Sequence, residues 1–165
     1  RTQREKSPRW NRPPSAWTMS RADMDRGLVI ARDLLAGDPV NLEARRDVTG
    51  VLLRRGNALR ELGVAAAGDE RAALLRAALS DFTECLESRE LIWATDPMQQ
   101  HRRDLAAALY KVGEVSLLMG DKARAKECGE RSRAELQALV GEGAMTSENA
   151  ELKEAAELVR KANEV

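Results

Sequence analysis

The sequence predicts an all-α protein built as an array of stacked helical units. One phrase occurs twice: Asp-Pro, then Arg-Arg-Asp, then a glycine nine residues after that last aspartate. Its members are Asp38, Pro39, Arg45, Arg46, Asp47 and Gly56 in the first copy and Asp96, Pro97, Arg102, Arg103, Asp104 and Gly113 in the second. Between these landmarks, apolar residues recur at steps of three and four, which is the spacing of one helix face. A period of about 57 residues built from helical segments is typical of a solenoid.

Residues 1–18 are expected to form a basic linker or tail. Five Lys and Arg residues stand against one Glu, and the prolines Pro8, Pro13 and Pro14 interrupt any regular element. Trp10 and Trp17 are exceptions, because large aromatic side chains in a tail often dock on an apolar groove. That groove could belong to the array or to a partner, and the sequence leaves both readings open.

A first helix is predicted over residues 20–36, within a repeat region of residues 19–145. Its apolar stripe consists of Met24, Leu28, Ala31, Leu34 and Leu35. Gly37 is expected to end this helix, because glycine is favoured just past a helix C-terminus.

A helix pair is predicted over residues 38–94. Asp38 is placed to cap its first helix, with Pro39 at the first helical position, where a missing N–H costs nothing. The apolar stripe of this helix is Val48, Val51, Leu52, Leu59 and Leu62, and Gly63 is expected to end it. The second helix, from about residue 70 to 93, carries Leu75, Ala78, Phe82, Cys85, Leu86 and Trp93.

A second pair is predicted over residues 96–140. Gln99 is placed to complete a capping box at the third helical position. The stripe of its first helix is Leu105, Ala108, Leu109, Val112, Val115 and Met119. The turn at Gly120 and Asp121 then leads into a helix over residues 122–140.

The last element, residues 146–165, is expected to be a capping helix. It runs near residues 148–163, with Thr146 or Ser147 as its N-cap. Its inner face is predicted to be Leu152, Ala155, Ala156 and Val159, and its outer face is charged. An array needs such a polar outer face at its end to stay soluble.

Composition argues against several kinds of partner and site. The 27 basic and 27 acidic residues cancel, so no global field draws in nucleic acid or an anionic membrane. Cys85 and Cys128 have no CxxC or Cys/His neighbours, which argues against a disulfide framework and a zinc site. No apolar run approaches the length of a spanning helix, and the sequence predicts a cytoplasmic protein.

No catalytic, cofactor or metal site is predicted. His101 is the single histidine, and we expect it to be an ordinary surface residue. Both cysteines fall on packing positions, where inert burial is the commoner role. The glycine spacings lack the Gly-Lys-Ser/Thr ending of a phosphate loop. We therefore expect no enzyme activity in this chain, and any such activity would lie on another domain.

The helical units resemble tetratricopeptide repeats. In that family the first helix carries a large apolar residue, a Leu-Gly pair and a turn glycine, which Leu109, Val112, Gly113 and Gly120 match. Leu52, Gly56 and Gly63 match less closely, because Arg55 stands where the second copy has Val112. The second-helix pattern of small, aromatic and small residues is met by Ala78, Phe82 and Cys85. The resemblance covers residues 20–140 and implies antiparallel helix pairs stacked in a right-handed superhelix.

The resemblance also suggests a piece of a larger protein, because the array opens on a second helix. The Asp-Pro and Arg-Arg-Asp variant is similar to the repeats that follow the catalytic domain of some bacterial serine/threonine protein kinases. None of the kinase's own motifs occurs in this chain. The alternative function is therefore a regulatory or dimerising C-terminal segment of such a bacterial signalling enzyme. Homo-oligomerisation is left open.

The function that the resemblance implies is a scaffold that binds a protein or peptide in an apolar concave groove. The groove residues are predicted to be Leu53, Asn57, Arg60, Tyr110, Glu114 and Leu117. Family members that clamp an acidic C-terminus use lysine and asparagine here, and of the matching positions only Asn57 keeps such a residue. The repeated arginine pairs have two readings: ion pairs between helices, or a basic ridge for an acidic peptide or phosphate.

Overall fold

A computed structural model describes residues 21–164 of the chain. These residues form six α-helices and no strand, so the all-α prediction is confirmed. The helices are α1 (Arg21–Gly37), α2 (Leu42–Ala65), α3 (Gly68–Thr95), α4 (Gln99–Leu118), α5 (Lys122–Gly141) and α6 (Ala150–Asn163). The predictions for the 1–18 linker, for Trp10 and Trp17 and for the start of the first helix at residue 20 lie outside the described residues.

Each helix packs against the next one along the chain. The closest pairs are α2 with α3 and α4 with α5, and α4 also contacts α6. One apolar core runs from α1 to α5, with the ring of Phe82 fully buried inside it. A smaller core joins α4, α5 and α6 through Ala106, Leu136, Leu139 and Ala155. The packing order therefore follows the two predicted helix pairs and the last helix.

Glycines inside the helices let neighbouring helices approach closely. A β-carbon added at Gly56 of α2 would lie 2.6 Å from Cε1 of Phe82, in α3. One added at Gly113 of α4 would lie 3.2 Å from the β-carbon of Cys128 in α5 and 2.8 Å from Cδ2 of Leu158 in α6. Glycine inside a helix costs about 0.5–1 kcal/mol relative to alanine. At these two positions the close approach of the neighbouring helix offsets that loss of helix propensity.

Leu158 of α6 fills the space that Phe82 fills in the first pair. Ala125 and Ser132 of α5 have the spacing that Ala78 and Cys85 have in α3, so Gly129 holds the position of Phe82 and has no side chain to offer. A β-carbon at Gly129 would lie 2.9 Å from Cγ2 of Val159 and 3.4 Å from Leu158. The last helix therefore completes the core of the second pair as well as covering its end.

Several ion pairs connect neighbouring helices, among them three groups that involve buried or half-buried side chains. Arg55 of α2 donates from Nε and Nη2 to the buried carboxylate of Asp81 in α3, at 2.8 and 2.7 Å. It also donates to Asp25 of α1 at 2.8 Å. Arg89 pairs with Asp104 between α3 and α4, and Arg103 pairs with the buried Glu151 between α4 and α6. The arginine that departs from the repeat pattern thus joins three helices.

Three predicted helix starts are wrong. The α2 helix begins at Leu42, where the side chain of Asn41 accepts the N–H of Ala44 at 3.0 Å and displaces the predicted Asp38 and Pro39 start. The α4 helix begins at Gln99 without any side-chain cap, so the capping box is wrong. Asn149, which accepts the N–H of Glu151 at 2.8 Å, caps α6 in place of Thr146 or Ser147. In α2 and α6 an asparagine nearer the helix takes the capping role.

Four residues predicted to face the core are exposed: Leu34, Leu62, Ala156 and Met119. Near the end of α2, Gly63 rather than Leu62 faces inward, against Leu75. Met119 follows the last turn of α4. In α6 the buried face is Glu151, Ala155, Leu158 and Ala162, with Glu151 paired to Arg103 and Leu158 against Gly113 and Gly129. Leu34 faces a groove that is described below.

Helix ends differ from the predicted ends by one or two residues. The α1 helix ends at Gly37, α2 continues to Ala65, and α3 extends in both directions to Gly68–Thr95. The α5 helix ends at Gly141, one residue beyond the prediction. Helix termini are the least determined part of a periodicity argument, because the last turn contributes few packing contacts.

Candidate functional site

The six predicted groove residues lie on two helices. Leu53, Asn57 and Arg60 are spaced by four and three residues on α2, and Tyr110, Glu114 and Leu117 repeat that spacing on α4. This spacing puts each set on one helix face. All six side chains are partly buried. We call these six residues the α2/α4 surface.

One ion pair connects the two halves of the α2/α4 surface. Arg60 donates from Nη1 to Oε1 of Glu114 at 3.1 Å, so the faces of α2 and α4 meet at this point. Leu53 packs against the main core from one side. The surface therefore combines two leucines and a tyrosine with a central charged pair, and it is not apolar throughout.

Lys111 belongs to the same cluster, and sequence reasoning missed it. Its side chain is fully buried, at 0% exposure, and Nζ donates to Oε2 of Glu114 at 3.2 Å. Burial lowers the pKa of Lys111, and the neighbouring carboxylate of Glu114 opposes that shift. Its position three residues after Ala108 and four before Val115 puts it on the buried stripe, and that spacing could have identified it.

Tyr110 lies at the edge of this cluster. The Nζ atom of Lys111 is 5.5 Å from the centroid of its ring. Burial raises the pKa of the Tyr110 phenol, and the charges of Glu114 and of Glu154 in α6 add to the shift. The phenol is therefore neutral at physiological pH and presents a hydroxyl to its surroundings.

Two polar atoms of the α2/α4 surface lack a hydrogen-bond partner within residues 21–164. They are Oδ1 of Asn57 and Nε of Arg60, one turn apart on α2, and both are buried. Buried polar atoms are normally paired, and an unpaired one costs about 1–3 kcal/mol. These atoms mark a part of α2 whose polar groups are incompletely satisfied.

The second arginine pair supports the structural reading of the repeated charges. Arg103 pairs with Glu151, and Arg102 pairs with Glu135 and Glu142 while its guanidinium lies 4.5 Å from the centroid of the Trp93 ring. In the first pair, Arg45 donates to the carbonyl oxygen of Pro39 at 2.8 Å. Ion pairs between helices are therefore confirmed for Arg102 and Arg103, whereas Arg45 binds backbone.

His101 is buried, so the expectation of a surface histidine is wrong. Its Nδ1 atom lies 2.7 Å from the carbonyl oxygen of Asp96, which ties the first turn of α4 to the preceding loop. Both cysteines are buried free thiols. Burial raises the pKa of Cys85 to about 11 and also raises that of Cys128, which makes both thiols poor nucleophiles.

The described residues also bear on metal binding and on membrane insertion. Between residues 21 and 164 no group of three or more His, Cys, Asp or Glu side chains is arranged to hold a metal ion. None of the six helices combines the length and the apolar character needed to cross a membrane.

Comparisons with known proteins identified no relative of this chain. No protein-family model matches it, and searches of the curated proteins and of the solved structures found no match.

Proposed function

We propose that this chain is a cytoplasmic protein-interaction module of the tetratricopeptide type, an α-solenoid that binds a protein or peptide partner on the α2/α4 surface. The observation that carries the proposal is the meeting of the two repeated faces at the pair between Arg60 and Glu114. The two first helices of successive repeats would line one side of such an array, and a partner would lie across them.

The equivalence of the two helix pairs supports this proposal. Gly56 and Gly113 hold the same place in the repeated phrase, and each would place its β-carbon against the helix that follows. In the α1 to α5 core, Leu52, Phe82, Leu109 and Val112 are fully buried, in keeping with the packing positions of the family pattern. The residues of the α2/α4 surface lie between those stripes and are less completely buried.

The chemistry of the surface indicates a partner with an apolar anchor and polar groups beside it. Leu53, Tyr110 and Leu117 supply apolar area, and aromatic residues of this kind often dominate binding energy. Arg60 and Glu114 neutralise each other, so this surface carries little net charge to attract a strongly acidic segment.

We expect Tyr110→Ala to weaken partner binding by about 2 kcal/mol, which corresponds to roughly a thirtyfold loss of affinity. A random peptide library displayed on phage and selected on the immobilised chain would supply the ligand. Affinity of the enriched peptide for each variant is then measured by calorimetry. Since the contact is mainly apolar, raising the salt concentration should change the affinity only modestly.

The matched control is Leu91→Ala, which removes an exposed leucine from α3, away from the α2/α4 surface. It should leave the affinity unchanged, and circular dichroism should show unchanged helicity in both variants. Charge reversal of Arg45 and Arg46 tests the competing basic ridge. Loss of binding on that reversal, with no effect of Tyr110→Ala, would overturn the proposed surface, as would a library that yields no ligand.

A further inference from the structure

A groove of about 580 Å³ lies between α1 and α2, and it shares no residue with the α2/α4 surface. Its apolar wall is formed by Ile30 and Leu34 of α1 and by Val51 of α2. Ile30 and Leu34 are 61% and 60% exposed, which is unusual for two neighbouring aliphatic side chains on one helix face. The charged part of the lining carries both signs: Glu43, Asp47, Arg46 and Arg54 of α2, with Arg89 of α3 and Asp104 of α4.

Two glycines inside helices open into this groove without a packing neighbour. A β-carbon at Gly27 would meet nothing within 4 Å, and one at Gly50 would meet only the tip of Arg54, at 3.8 Å. The other interior glycines, Gly56, Gly63, Gly113 and Gly129, are each filled by a side chain of a neighbouring helix. Glycine weakens a helix unless something needs its space. The space at Gly27 and Gly50 is therefore free to receive a further side chain.

The repeat itself shows which side of α1 is incomplete. Met24 and Gly27 of α1 correspond to Phe82 and Cys85 of α3, 58 residues later. In the same register, Leu34 corresponds to Ile92, which is 0% exposed. The Cys85 thiol donates to the carbonyl oxygen of Thr49 in α2, at 3.7 Å, so this face of α3 lies on the helix that precedes it in the chain. On the same face of α1, Met24 is buried, but Gly27 and Leu34 have no such cover among the described residues.

We infer that residues 1–20 of this chain occupy the groove, with Trp10 and Trp17 as the side chains that enter it. Residues 1–20 come directly before α1 in the chain, as α2 comes directly before α3. They are therefore placed to cover the face of α1 that α2 covers on α3. Trp17 precedes Arg21 by four residues, a reach of up to about 14 Å, whereas Gly27 lies about 9 Å along α1 from Arg21. Trp10 is joined to α1 by a longer stretch of chain than Trp17, so it can also reach the groove. A flat ring against a helical glycine already occurs in this protein, where Phe82 covers Gly56.

Tethering favours this occupant over a separate molecule. A segment joined directly to α1 is present at an effective concentration in the millimolar range, so weak apolar contacts are sufficient. The mixed charges along the groove do not repel the basic segment, because Glu43 and Asp47 balance Arg46 and Arg54.

The test uses the full chain with Trp93→Phe, so that fluorescence reports Trp10 and Trp17 alone. We expect emission shifted to shorter wavelength than in the urea-unfolded chain, and reduced quenching by acrylamide. Gly27→Leu or Gly50→Leu fills the groove and should return both signals towards the unfolded values. Gly141→Leu, at a glycine with open space outside the groove, is the matched control and should change neither signal.

A second measurement keeps Trp93 and follows the thermal midpoint. Replacing Trp10 and Trp17 by serine should lower it by about 3 °C or more. Gly27→Leu should lower it in the parent chain but not in the serine variant, where no ring competes for the space. Two results would overturn the inference. One is tryptophan emission in the Trp93→Phe chain that matches the urea-unfolded chain. The other is a thermal midpoint that Gly27→Leu leaves unchanged or raises in both the parent and the serine variant. Signals that depend on protein concentration would also overturn it, because a second copy would then be the occupant.

Discussion

Asp81→Ala is expected to lower the free energy of unfolding by about 3–5 kcal/mol, the usual cost of breaking a buried ion pair from one side. The Asp81 side chain is 5% exposed and accepts two hydrogen bonds from Arg55. Its removal leaves the guanidinium, largely covered by α1, α2 and α3, with Asp25 as its remaining carboxylate. The denaturant midpoint and slope, measured by circular dichroism, give the change in free energy.

The second helix pair provides the matched control. By the repeat register, Arg55 corresponds to Val112 and Asp81 to Cys128. Two residues of the apolar core therefore stand where the first pair has charges. The double variant Arg55→Val, Asp81→Ala should therefore recover most of the stability that either single change loses, because neither charge is left buried alone. A double variant as unstable as the sum of the singles would contradict the equivalence of the two pairs.

Gly113→Leu is expected to destabilise the protein by about 1–3 kcal/mol through overpacking. A β-carbon at this position would lie 3.2 Å from the carbonyl oxygen of Ala125, which is backbone and cannot turn aside. It would also lie 2.8 Å from Cδ2 of Leu158, whose flexible end can shift only at the expense of the core shared with α6. The thermal midpoint should fall, and α5 and α6 should lose protection together.

Gly141→Leu is again the control, because its β-carbon would meet no atom within 4 Å. It should leave the midpoint close to that of the parent. If Gly113→Leu left the midpoint unchanged or raised it, α4 and α5 could not pack as closely as described, and the glycine would have another explanation.

Periodicity predicted the helices well because each apolar stripe is read from neighbouring residues. Leu52, Phe82, Leu109 and Val112 are buried as predicted. Caps were predicted less well, because Asp38 and Asn41 are both good N-caps and the choice between them depends on where the chain leaves the preceding helix. Gly129 and Leu158 show the same limit, since the filling of a gap in one helix by a residue nearly 30 positions later leaves no local pattern.

The α2/α4 surface was predictable as two helix faces but not as a charge arrangement. The i, i+4, i+7 spacing of these residues on each helix can be read directly from the register of the repeat in the sequence. The contact between Arg60 and Glu114 joins residues 54 positions apart, so it depends on how two helices are placed side by side. Lys111 was missed because a lysine is rarely buried unless a carboxylate pairs with it. The carboxylate that does so is Glu114, which the sequence predicted to lie on the binding surface.

Hydrogen–deuterium exchange with and without the selected peptide tests the central claim most directly. The whole chain is used, and amide exchange is followed by mass spectrometry. The account predicts that bound peptide slows exchange in residues 50–60 of α2 and 107–118 of α4, and leaves the exposed faces of α3 and α5 unchanged. Protection confined to α3 and α5, with α2 and α4 unchanged, would contradict it.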